Sequence, residues 1–183
     1  MNIKDLLNLM SHRYSCRAYD KRDVPDELIQ NCLEAARLAP SACNKQPWRF
    51  AIVKKPELRE KIYLKCLLPG ISMDWLRDAP VFAILCAEKN FLTHKAAPFI
   101  SGIPYHYIDC GIAGEHFVLA ATAQGLGTCW IGWFKEKALK KLLNIPSTIT
   151  VISIISLGFP STTDSNVRRT ERKSIKEILL NIS

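Results

Sequence analysis

The stretch Ala39-Pro-Ser-Ala-Cys-Asn-Lys-Gln-Pro-Trp-Arg-Phe50 sets the architecture of this chain. A helical run stops at Pro40. Ser41, Asn44 and Gln46 then place a hydroxyl and two amides close together. From Trp48 the chain becomes aromatic and β-branched, Trp-Arg-Phe-Ala-Ile-Val53, which predicts a strand. A polar loop is thus clamped between a helix and a sheet. Such loops carry sites because their polar groups must find partners outside regular ladders. Neighbouring amides offer donors and acceptors side by side, which suits a flat heterocycle with alternating N–H and C=O groups. The same residues also suit a plain helix-to-strand connection closed by Asx-type bonds. The loop alone leaves both readings open.

Nearer the N-terminus, Arg13-Tyr14-Ser15-Cys16-Arg17 places two arginines and a serine at alternate positions. In extended backbone alternate side chains point the same way. Two guanidiniums and a hydroxyl would then converge, which is the chemistry an anionic phosphate needs. Two surface arginines on a solvated turn is the plainer alternative.

The two segments in succession, R-x-S-x-R and then A-P-S-x-x-N-x-Q-P-W-x-F, resemble the nitroreductase family of FMN-dependent oxidoreductases. A third segment, Gln124-Gly-Leu-Gly-Thr-Cys-Trp-Ile-Gly132-Trp-Phe134, is similar to that family's G-L-G-T-x-x-I-G. The resemblance thus spans nearly the whole chain. Its glycines alone say less, since Gly125 stands where a helix C′ glycine belongs. A G-x-G-x-x-G fingerprint is absent, so the chain does not read as a Rossmann domain.

The resemblance implies an α+β fold with a central mixed β-sheet flanked by helices, in an intertwined homodimer with FMN at the subunit interface. It implies that Arg13, Tyr14, Ser15 and Arg17 contact FMN, with Arg13 and Ser15 at the phosphate and Arg17 near the phosphate or pyrimidine edge. Pro40, Ser41, Ala42, Asn44 and Gln46 match the loop lining the flavin, partly from the other subunit. Ile131 and Gly132 match the segment whose backbone N–H faces flavin N5. Arg172 or Arg169 matches the basic residue that closes on the phosphate. NADH or NADPH would be the reductant, and a nitroarene, quinone or enone the acceptor. Flavin carries the chemistry, so no side-chain acid or base is expected in a catalytic role. Reductive dehalogenation or peptide-azoline oxidation are the specialised alternatives. The chain is short, with no counterpart to an inserted lid, and Gly132 stands where some members have an acidic residue.

Length and composition agree with one globular domain over residues 1–183. Hydrophobic residues make up 48% and charged residues 23%. Met1–Asp5 is polar and Leu6–Met10 too short for a signal-peptide core, which predicts a cytoplasmic chain. The apolar run 105–124 carries Asp109, Glu115 and His116, which argues against a membrane span. Seven cysteines, an odd number without a C-x-x-C pair, predict buried reduced thiols. The four histidines show no metal-ligand spacing to cysteine pairs. The net charge of +8 admits an anionic ligand or a nucleic acid. The aromatics are not interleaved with the basic cluster Arg168–Lys173, so single-strand stacking has little support.

Periodicity predicts helices at 3–11, 25–38, 56–67, 105–124, 135–142 and 173–180. Strands are expected at 48–54, 80–87, 128–133 and 149–157, the last β-branched enough to be central. Helix 105–124 is apolar nearly all round, and Gly111 and Gly114 would admit another backbone. A core shared between subunits is the expectation. Residues 88–104 read as a long loop near the site.

Overall fold

A computed structural model describes residues 2–88, 102–161, 171–180 and 182. In chain order the elements are α1 (Ile3–His12), α2 (Asp26–Arg37), β1 (Trp48–Val53), α3 (Pro56–Cys66) and β2 (Val81–Glu88). They continue with α4 (Tyr105–Ala123), β3 (Gly127–Ile131), α5 (Glu136–Leu143), β4 (Ile149–Gly158) and α6 (Ile175–Ile178). Short 3₁₀ turns span Ala42–Asn44 and Asp74–Asp78.

The strands lie in the order β1-β2-β4-β3, with every neighbouring pair antiparallel. The parallel pairing expected of a mixed sheet is confined, among the described residues, to an isolated bridge between Ser15 and Thr128. β4 is central and buried, as its β-branched composition requires. Side-chain alternation along β2 divides the core. Val81, Ala83, Leu85 and Ala87 face α2 and α4, packing with Ile29, Ala36, Phe117 and Val118. Phe82, Ile84 and Cys86 face the other way, with Ile62, Leu76 and Leu139. The result is helices on both faces of one sheet.

Local chemistry explains the helix ends. Asn2 caps α1 in a reciprocal box with Asp5. Pro25 was expected as the first helical residue of α2. Its ψ of 142° makes it the N-cap instead, with Asp26 and Glu27 filling the first turn. α4 closes on Gly125 at φ 76°. Gly125 N–H bonds Thr122 C=O and Leu126 N–H bonds Ala121 C=O, the Schellman pattern. The expected helix 173–180 shrinks to four residues in α6, capped by Ser174.

Gly114 answers to a different neighbour than expected. A Cβ there would meet Trp130 Cη2 at 2.2 Å and Leu85 Cδ2 at 3.0 Å, so the glycine lets α4 press onto its own sheet. Gly111 has open space around it and, with Tyr107 and Ile108, forms an exposed side of α4. Within this chain the helix is therefore buried on one side only. Among the described residues no helix is long and apolar enough to cross a membrane.

Candidate functional site

The Arg13–Arg17 segment follows α1 directly and runs along the outer edge of β3. Arg13 N–H still bonds Leu9 C=O, and Cys16 N–H donates to Thr128 C=O at 2.9 Å. Cys16 is buried, while Ser15 and Arg17 are exposed and Arg13 and Tyr14 half-buried. Gly127 makes this approach possible, since a Cβ there would sit 2.7 Å from the Cys16 side chain. Further on, Tyr19 bridges to Pro160, and its hydroxyl lies 2.7 Å from Ser156 Oγ.

Burial pushes the Cys129 thiol above its ordinary range, while the Arg17 charge, a hydrogen bond with Ser15 and the Arg13 charge draw it back. All three groups therefore lie within electrostatic reach of the Cys129 side chain on β3. Burial likewise raises the Glu115 carboxyl on α4, offset by Arg13 and His116. Neither Arg13 nor Arg17 makes a salt bridge with a carboxylate within 4.0 Å among the described residues.

Ile131 ends the same strand and Gly132 follows it, three and four residues, or roughly 10 and 13 Å, beyond Thr128. The Ile131 side chain is buried and its carbonyl accepts Ser153 Oγ–H at 3.0 Å. Gly132 is exposed, with open space where a Cβ would stand. Trp133, expected within the strand, lies past its end. Its Nε1–H donates to Pro69 C=O at 2.9 Å, and Leu68 N–H donates to Trp133 C=O. A shallow groove of about 350 Å³, lined by Tyr63, Leu67, Pro69, Ile71, Met73 and Lys135, opens beside this turn.

The 40–46 loop lies elsewhere, at the entry to β1. Pro40, Asn44 and Gln46 are exposed, and Ser41 and Ala42 half-buried. Cys43, Asn44 and Gln46 all adopt left-handed backbone, at φ 50°, 51° and 46°. Side-chain-bearing residues avoid that region, so the surroundings must hold the loop there. Three bonds do so. Gln46 N–H donates to Ser41 Oγ at 2.9 Å. Arg49 Nη1 donates to Gln46 C=O at 3.0 Å. Ala42 N–H donates to Asp109 Oδ1 on α4, also at 3.0 Å. Gln46 Nε2 donates to Asn44 Oδ1 at 3.0 Å, which leaves Asn44 Nδ2 and Gln46 Oε1 outside that bond.

Asp109 is the site-linked residue that the sequence reading passed over. Its signal was a carboxylate inside an apolar helix, which requires a partner when buried.

One chain does not bring the two sets together. The loop adjoins β1, and Arg13–Arg17 adjoins β3, at opposite edges of a four-stranded sheet. Three strand spacings, about 15 Å, separate those edges. Arg172 is exposed ahead of α6. Arg169 and residues 89–101 of the expected 88–104 loop lie outside the described residues.

Most of the thiols are buried. All seven cysteines are free, and only Cys43 is exposed. Burial pushes Cys32 and Cys86 up to about 11 and Cys110 to about 12. Among the described residues no group of three His, Cys, Asp or Glu side chains is placed to hold a metal ion.

The sequence profile of the Nitroreductase family matches residues 10–70 and 64–159. A protein of Archaeoglobus fulgidus, provisionally named NADH dehydrogenase/NAD(P)H nitroreductase, is 35% identical over 164 residues, 86% of this chain and 87% of its own length. An iodotyrosine deiodinase of Thermotoga neapolitana is 30% identical over 173 residues, 86% of this chain and 90% of its own. The crystal structure of a nitroreductase family protein from Clostridium difficile 630 superimposes with a TM-score of 0.81 at 28% identity, covering 100% of this chain and 99% of that one.

Proposed function

Because this chain belongs to the nitroreductase family and is an NAD(P)H-dependent oxidoreductase, we propose that FMN is its cofactor and a nitroarene, quinone or related electron-poor molecule its acceptor. Arg13, Ser15 and Arg17 carry this reading. Two guanidiniums with no carboxylate within 4.0 Å among the described residues, on either side of a serine hydroxyl beside one strand, are a donor set suited to a phosphate monoester. The residues present therefore fit FMN.

In this proposal Arg13 and Ser15 hold the phosphate, Tyr14 flanks it, and Arg17 reaches the phosphate or the pyrimidine edge. Arg172 or Arg169 closes over it from the C-terminal segment. Gly132 and Ile131 offer backbone alone: Ile131 is committed to the core, and Gly132 leaves room for a ring edge beside its N–H. The amides of Asn44 and Gln46, with Pro40, Ser41 and Ala42, line the ring. When bound, FMN supplies hydride acceptance from the nicotinamide and electron delivery to the acceptor. The protein's part is to anchor charge, orient the ring and shelter it from water. Burial holds the Cys129 thiol above its ordinary range.

The loop and the anchor stand at opposite edges of one sheet, an arrangement that lets two copies of the chain share each site. A homodimer with two shared sites is the assembly this favours. A second acceptor class, halogenated phenols undergoing reductive dehalogenation, is favoured by the 30% identity to the iodotyrosine deiodinase.

Denaturing the purified protein and filtering it is expected to release FMN. Anaerobic mixing of the loaded protein with NADH or NADPH is expected to bleach the flavin, and a nitroarene to restore its colour. No flavin after reconstitution, FAD in the filtrate, or no bleaching by either nucleotide would sink the proposal. Iodide released from iodotyrosine, with no turnover of nitroarenes, would select the dehalogenating reading.

A further inference from the structure

We propose that Asp109 is a positioning residue, holding the Ser41–Gln46 loop in its ring-facing shape through the Ala42 N–H; this rests on the FMN reading above. Asp109 sits on α4 and is 3% exposed. Its Oδ1 accepts the Ala42 N–H at 3.0 Å, 67 residues away in sequence. That N–H belongs to the first residue of the 3₁₀ turn Ala42–Asn44, where the turn's own bonds start too late to use it. A carboxylate is the strongest acceptor available for such a donor.

The loop needs an external tether. Within it, Asn44 N–H bonds Ser41 C=O and Lys45 N–H bonds Ala42 C=O, and these bonds close the 3₁₀ turn alone. Three of its residues carry side chains at positive φ. Such backbone persists only where the surroundings over-determine it. Ser41–Gln46 and Gln46–Arg49 fix the exit of the loop. Asp109 fixes its entrance. Released there, the turn can relax toward negative φ and swing Asn44 and Gln46 out of line. α4 is rigid against the sheet through Gly114 and Trp130, so Asp109 refers the loop to the core. Asp109 touches the loop backbone and acts through it.

The test titrates FMN into apoprotein of the wild type, Asp109→Ala, Asp109→Asn, Ala42→Pro, and the double variant Asp109→Ala/Ala42→Pro. Proline suits position 42 because Ser41 is extended, at φ −148° and ψ 158°, and a helical turn begins there. The substitution removes the N–H that Asp109 accepts, and because Ala42 also lines the proposed ring site, the comparison with the double variant isolates that contact. Asp109→Ala and Ala42→Pro are each expected to weaken binding about tenfold, and the double variant no more than either one. Asp109→Asn keeps a carbonyl acceptor and should stay within about threefold of wild type. The two single variants should also shift the visible absorption band of the bound flavin. A merely structural aspartate would lower apoprotein melting without moving that band. Additive losses in the double variant, or unchanged affinity in both singles, would overturn the inference. Should Asp109→Ala fail to fold, Ala42→Pro and Asp109→Asn decide by the same criteria. A wild type that binds no FMN removes the cofactor reading itself, and this inference with it.

Discussion

Arg13 is the residue on which the electrostatics of the edge converge. Its charge acts on both Cys129 of β3 and Glu115 of α4. Its backbone closes α1 through Leu9 C=O, a bond any residue but proline could make. Arg13→Ala should therefore leave the fold intact while weakening FMN binding. The expected loss is about 1.5–3 kcal/mol, the scale of a hydrogen bond to a charged group, or roughly tenfold to a hundredfold. Riboflavin, which lacks the phosphate, should lose little affinity in the same variant. Equal losses for FMN and riboflavin would place Arg13 away from the phosphate.

Among the elements, α4 connects the most parts of the molecule. It packs on α2 and the sheet, and carries Asp109 to the loop and Glu115 toward Arg13. Its two glycines do different work. Gly114 faces the sheet, against Trp130 and Leu85, whereas Gly111 faces open space. The expectation that Gly114 admits a neighbouring subunit therefore gives way to intramolecular packing. Gly114→Ala should cost about 1–3 kcal/mol of folding stability by overpacking against Trp130. Gly111→Ala should cost the isolated chain nothing and favour the helix by its higher propensity. Urea midpoints of the two variants measure the contrast. Equal midpoints would show that the indole swings aside.

For the whole molecule, exposed apolar surface points to what is missing. Ile3, Leu7 and Met10 form one exposed stripe along α1. Tyr107 and Ile108 are exposed on α4. Ile175, Ile178, Leu179, Leu180 and Ile182 are exposed in the C-terminal segment, at 62–89% of their full area. Exposed apolar surface of this extent is what the proposed homodimer would cover. Obligate dimers often bury more than ~2,000 Å². Sedimentation at low micromolar concentration should show a dimer that retains its flavin. A flavin-loaded monomer would sink the shared-site proposal. The double substitution Leu7→Lys and Ile108→Glu should separate the subunits and release FMN with them, if loop and anchor meet only across copies.

Sequence by itself determined the elements and the two polar segments. Among the described residues, periodicity placed the four strands and the five longer helices, because apolar spacing, Pro56 and Gly125 act within a few residues of where they stand. The residue types of R-x-S-x-R and the 40–46 loop were legible for the same reason: they are local. Only the tertiary structure decided what lies against what. That Gly114 meets Trp130 depends on β3 folding back under α4. That Ala42 meets Asp109 depends on a contact across 67 residues. The left-handed backbone of Cys43, Asn44 and Gln46 was not legible in those residue types, since it depends on the distant bond from Ala42 to Asp109 as well as on the local bonds Gln46–Ser41 and Arg49–Gln46. The separation of loop and anchor to opposite edges likewise follows from the strand order β1-β2-β4-β3. Strand order is set by which faces can be buried together, a property of the assembled sheet that no single segment contains.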